Sequence, residues 1–215
     1  MPEITKKENL VILPGWTRDE KSYKKLIDSS PSNWQVFIPS YKELKPYKGV
    51  SVFKEKFLWC LKKNNLSKIN LLGDSLGGAL AIHFAASNPA KIKKLFLISS
   101  KGLYQQESII SGILALYRKH AKQKLSDNMQ DFFRTINDPI LNFRLALLAH
   151  YSNVREQAEN IRVDTSIFWG EDDKMVSVSD GKKLKDLIPN SKLFVLKGLG
   201  HDWIYDNHEH FWDKQ

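Results

Sequence analysis

The sequence predicts an α/β fold: a mostly parallel sheet with helices on both faces, interrupted by one helical insertion. Three observations carry this. Short apolar runs alternate along the chain with segments of helical period. The runs are nearly continuous in apolar residues, as strands covered on both faces must be. At residues 69–88 one such run passes abruptly into an apolar helical segment through a glycine-rich corner. With 215 residues, 42% apolar and 27% charged, the chain can bury one full-sized core and has the balance of an ordinary globular protein.

The first strand is expected at residues 9–13, closed by Pro14, Gly15 and Trp16. Thr17 and Glu20 stand at capping-box spacing, which predicts a helix from Lys21 to about Asp28. A second strand runs over 34–38, before Pro39. Val50, Phe53, Phe57 and Leu61 recur at three and four residues and mark an amphipathic helix up to Asn64. The strand 69–73 and the helix from Leu76 come next, then a strand over 94–98. Beyond the insertion, residues 165–169 and 192–196 read as strands around a helix that Ser177 and Asp180 would cap.

Between about Gly102 and Asn160 the alternation stops and only helical patterns remain. They lie over 109–117, over 129–136, and after a start at Asp138 and Pro139. Open α/β sheets place ligands at the carboxyl edge of their strands. An insertion that follows a strand at that edge is therefore expected to form a cap, dividing the chain into a core of residues 1–101, a cap of 102–160 and a second core part of 161–215.

Composition narrows the function classes. The formal net charge is +9, yet only six of the 33 basic residues are Arg, and the Lys residues are scattered in pairs such as Lys24 with Lys25 and Lys182 with Lys183. Nucleic-acid recognition favours Arg forks, a concentrated stripe and stacking aromatics. The pattern here reads as a lysine-rich wet surface, with a positive field that suits an anionic substrate or an acidic partner. Cys60 is the single cysteine. It allows no internal disulfide or cysteine metal site, and a reducing, cytoplasmic setting is expected. No run is long enough to span a bilayer. His208 and His210 lack the helix-borne carboxylate–histidine pattern of a metal site, so neither a metal nor a cofactor is expected.

The corner itself, Gly73-Asp74-Ser75-Leu76-Gly77, carries the chemistry. Glycines two residues to either side of Ser75 relieve crowding in a strained strand-to-helix turn that projects a hydroxyl into open space. Leu76 opens the helix, so its N–H is aimed where an ester oxygen would gain charge. Gly-x-Ser-x-Gly arises by accident in about one chain in ten or twenty of this length, so the motif alone does not decide. A phosphate-cradling loop would need a Lys after the last glycine, and none follows.

A serine nucleophile needs a base, and the base needs an orienting carboxylate. Later strand ends offer both: Gly170-Glu171-Asp172-Asp173 after one strand and Gly198-Leu199-Gly200-His201 after the last. In a parallel sheet these loops share an edge with Ser75. In these three motifs and their order the chain resembles the α/β-hydrolase family from about Asn9 to the C-terminal region. The resemblance implies Ser75 as nucleophile, His201 as general base and later acid, and Asp173 as its carboxylate, with Asp172 the alternative. It also implies an oxyanion hole from the backbone N–H groups of Leu76 and Trp16. Many family members have His-Gly where this chain has Pro14-Gly15, and hardly any chain precedes the first strand, so the family's leading antiparallel hairpin is not expected. The implied activity is hydrolysis of a small, apolar carboxylic ester. Alternatives are a carbon–carbon bond hydrolase, an acyltransferase with the same three residues, or a non-catalytic binder of small molecules.

Overall fold

The computed structural model describes residues 7–103 and 138–215. Six strands, β1 (Glu8–Leu13), β2 (Trp34–Phe37), β3 (Ile69–Asp74), β4 (Ile92–Ile98), β5 (Thr165–Gly170) and β6 (Ser191–Leu196), form one sheet in the order β2-β1-β3-β4-β5-β6. Every ladder among the described residues is parallel. All six carboxyl ends therefore lie on one edge, and β3 sits inside the sheet, between β1 and β4.

Alternate residues of each strand feed two separate cores. Val11, Leu13, Leu71, Leu95, Leu97, Ile167 and Trp169 face one side, against Phe53, Phe57 and Leu61 of the helix Val50–Lys63 and the apolar helix Leu76–Ser87. Leu10, Ile12, Leu72, Phe96, Ile98 and Phe168 face the other, against Tyr23, Leu26, Trp203, Ile204 and Phe211. Burial on both faces is why the strand runs read as continuous apolar stretches. Among the described residues no helix is long and apolar enough to cross a membrane.

Most expected elements stand within one or two residues of their expected bounds. The first helical segment differs. Its cap is Asp19, whose side chain accepts from the Ser22 N–H, and it begins as a short 3-10 turn, Glu20–Tyr23, before the helix Lys24–Asp28. Thr17 has φ 62° and belongs to the preceding loop. Asp138 caps the helix Pro139–Tyr151 as its position suggests, accepting from the Leu141 N–H at 3.1 Å. The helical patterns over 109–117 and 129–136 lie outside the described residues.

The glycines of the corner have a role the sequence did not disclose. A Cβ on Gly77 would lie 1.9 Å from the Leu13 carbonyl oxygen and 2.8 Å from that of Pro14. The bare glycine thus lets the helix press backbone to backbone on the end of β1 and the loop after it. Gly73 likewise admits the Gly77 and Gly78 backbone, each 2.6 Å from its would-be Cβ. Gly77→Ala is expected to destabilise the protein by at least about 3 kcal/mol, since the opposing atoms are backbone and cannot rotate away. Gly200→Ala, where a Cβ would meet nothing within 4 Å, should stay within about 1 kcal/mol. Urea melts of the two variants check this, and equal midpoints would refute the packing argument.

Candidate active site

Ser75 follows β3 directly and holds φ 50°, ψ −110°. This is strained for any residue with a Cβ, at a cost of about 1–3 kcal/mol. Three backbone bonds impose it. The Ser75 N–H donates to the Ile98 carbonyl at 2.9 Å, while its own carbonyl accepts from the N–H groups of Gly78 and Lys101, both at 3.0 Å. Leu76 is the first residue of the helix Leu76–Ser87, so its N–H has no acceptor within the helix.

The loop after β5 is fixed by Trp169, whose indole N–H donates to the Val176 carbonyl at 2.9 Å. It is also laced to the loop after β6: the Glu171 N–H donates to Leu196 and the Asp172 N–H to Leu199, each at 2.9 Å. Gly170 permits that approach, because a Cβ there would fall 2.3 Å from the Leu199 carbonyl oxygen.

Three of the expected residues meet at this edge. His201 Nδ1 lies 2.8 Å from Asp173 Oδ2, and His201 Nε2 lies 3.1 Å from Ser75 Oγ. The other carboxylate oxygen of Asp173 accepts from the Met175 and Val176 N–H groups at 2.7 and 2.9 Å. Its side chain is fully buried, whereas Asp172 and Glu171 are exposed. Burial alone would raise the Asp173 pKa. The hydrogen bond and charge of His201, with the two backbone donors, outweigh it and hold the carboxyl below its ordinary value. An ionised Asp173 accepts the Nδ1 proton, which leaves Nε2 to accept from the serine hydroxyl. A hydroxyl so placed can lose its proton as it attacks.

The Pro14-Gly15-Trp16 loop follows β1, the neighbour of β3, and lies against the corner: a Cβ on Gly15 would be 3.1 Å from Asp74 Oδ2. The Trp16 indole donates to the Asn142 carbonyl at 3.0 Å, tying this loop to the helix Pro139–Tyr151.

Beneath the site is a buried polar cluster that sequence reasoning missed. The Asp74 carboxylate accepts from the hydroxyls of Tyr23, at 2.7 Å, and Tyr205. Burial pushes the Asp74 pKa up, with the two tyrosine donors opposing. The identity of the residue between Gly73 and Ser75 was the one available signal. The tyrosines come from distant short elements that no motif marks. Among the described residues, no group of three His, Cys, Asp or Glu side chains is arranged to hold a metal ion.

Comparisons with known proteins agree with this architecture. The 2-hydroxy-6-oxononadienedioate/2-hydroxy-6-oxononatrienedioate hydrolase of Cupriavidus pinatubonensis is 26% identical over 175 residues, covering 69% of this chain and 60% of that protein. A putative esterase/lipase of Haemophilus influenzae is 25% identical over 173 residues, covering 70% and 60%. The chain thus spans about 60% of the length of these relatives. The crystal structure of bromoperoxidase from Bacillus anthracis shares the fold with a TM-score of 0.81 at 18% identity, over 97% of this chain and 90% of that one. A family model described as the alpha/beta hydrolase fold matches residues 10–129. That match takes in more than half of the chain, including the Ser75 corner and the loop that lies against it, and the chain belongs to the alpha/beta hydrolase family.

Proposed function

We propose that the protein is a serine hydrolase that cleaves a small, apolar carboxylic ester through an acyl-enzyme on Ser75. The observation that supports this most is the continuous contact from Asp173 through His201 to Ser75 Oγ, at 2.8 and 3.1 Å. Ser75 Oγ attacks the ester carbonyl while His201 Nε2 takes its proton. The oxyanion forms beside the N–H groups of Leu76 and Trp16. His201 then gives the proton to the departing alcohol, and water, deprotonated by the same imidazole, releases the acid. The helix Pro139–Tyr151, which belongs to the stretch expected to form a cap, is joined to the oxyanion loop by the Trp16 indole bond to the Asn142 carbonyl.

A serine-directed fluorophosphonate tests the proposal. One adduct is expected, placed on Ser75 by peptide mass, together with turnover of short p-nitrophenyl esters. A protein that forms no adduct and turns over no ester would overturn it and favour a binding role. The relative named as a hydrolase of an oxo-dienedioate supports a second reading, hydrolysis of a carbon–carbon bond beside a ketone by the same residues. Faster turnover of a 2-hydroxy-6-oxo-dienoate than of any ester in an acyl-length series would favour that reading.

A further inference from the structure

The donor proposed at Trp16 hangs on a glycine. Gly15 has two soft dihedrals and no Cβ to restrict them, so the direction of the next N–H depends on how firmly the preceding peptide is held. That peptide, between Pro14 and Gly15, is gripped at both ends by buried phenols. Tyr41 donates its hydroxyl proton to the Pro14 carbonyl at 2.6 Å. On the opposite side the Gly15 N–H donates to the Tyr23 hydroxyl oxygen at 3.1 Å, and Tyr23 in turn donates to Asp74 Oδ2 at 2.7 Å. Asp74 is the chain neighbour of Ser75, so the path from the loop to the nucleophile is two hydrogen bonds and one peptide link. The Gly15 carbonyl is held as well, accepting from the Arg18 N–H at 3.1 Å.

We infer that Tyr23 and Tyr41 are positioning residues for the oxyanion site, clamping the Pro14–Gly15 peptide so that the Trp16 N–H is fixed relative to Ser75. Burial first, and the Asp74 charge second, push both phenols well above their ordinary pKa, so both stay protonated and able to donate. Tyr205 provides the internal contrast. Its hydroxyl also donates to Asp74 but bonds no backbone atom of the loop, so its loss leaves the clamp in place.

The inference rests on the serine-hydrolase reading, and the test separates the two. Tyr23→Phe and Tyr41→Phe are expected to lower kcat on a short p-nitrophenyl ester by about 10–100-fold, less than outright loss of an oxyanion donor. KM should stay within about twofold, because the donor acts on the charge that develops in the transition state. Affinity for a trifluoromethyl ketone, which presents that oxyanion, should fall by a similar factor. Tyr205→Phe should lose comparable thermal stability but keep kcat within about twofold. A Tyr23→Phe kcat equal to that of Tyr205→Phe, or a loss confined to KM, would overturn the clamp even though the wild type labels and turns over. A wild type that neither labels with fluorophosphonate nor turns over ester would instead sink the hydrolase reading. Should Tyr23→Phe fail to fold, the comparison of Tyr41→Phe with Tyr205→Phe decides in the same way.

Discussion

Ser75→Ala is expected to reduce hydrolysis of a short p-nitrophenyl ester by about four orders of magnitude or more, leaving the fold almost untouched. The size follows from the proposed role: without the hydroxyl no acyl-enzyme could form, and what would remain is the small contribution of binding and the oxyanion donors to attack by water. The small structural effect follows from the geometry. Alanine keeps the Cβ and so neither relieves nor adds to the strain at φ 50°, and the backbone bonds to Ile98, Gly78 and Lys101 survive. One side-chain hydrogen bond to His201 is lost, worth about 1 kcal/mol. Steady-state kinetics beside a urea melt check both halves. Activity persisting at a tenth of the wild-type rate would mean that another group attacks.

The candidate site was legible in the sequence because the three residues that meet at the sheet edge each carry local marks. Ser75, Asp173 and His201 each sit a fixed few residues beyond an apolar run, flanked by glycines, and a parallel sheet brings such loops together without further information. Even the choice of Asp173, which the resemblance implies, with Asp172 the alternative, corresponds in space to one buried and one exposed carboxylate. The strands were legible for the same reason: two-sided burial writes Val, Ile, Leu and Phe into consecutive positions.

What the sequence concealed are relations between distant segments. Gly73 and Gly77 were expected to make room for the reaction, and the structure shows them making room for backbone. Only the folded chain sets the Leu13 carbonyl oxygen against Gly77, since nothing local couples residue 77 to residue 13. The Tyr23, Tyr41 and Asp74 cluster is invisible for the same reason. Tyr23 ends a single 3-10 turn and Tyr41 starts a four-residue helix, Tyr41–Leu44, too short for any periodicity to show. The paired helices Trp203–Asp206 and Glu209–Trp212, which cover one face of the sheet, escape notice on the same ground.

Asp173→Asn should come close to Ser75→Ala in effect, with kcat falling by about 10⁴-fold, and the reason is tautomeric. Both oxygens of Asp173 act as acceptors: Oδ1 for the Met175 and Val176 N–H groups, Oδ2 for His201. Asparagine has one acceptor and one donor end. The two backbone donors claim the carbonyl, which turns the amide NH₂ toward His201 Nδ1. That nitrogen must then accept, the imidazole proton moves to Nε2, and Nε2 loses the lone pair that would take the serine proton. Asp172→Asn, on an exposed side chain, should change kcat by less than about threefold; a larger loss there than at Asp173 would reverse the assignment. The pH dependence of stability gives a second, independent reading. The folded state holds the Asp173 pKa below its ordinary value, which in an unfolded chain is about 3.9. Its contribution is therefore fully present above that value and is lost as pH falls through the lower folded one. The stability gap between wild type and Asp173→Asn should narrow as pH falls from about 4 through the lower folded value. A gap that widened over that acid range instead would mean that Asp173 is not the stabilised carboxylate that its three partners, His201, Met175 and Val176, make it.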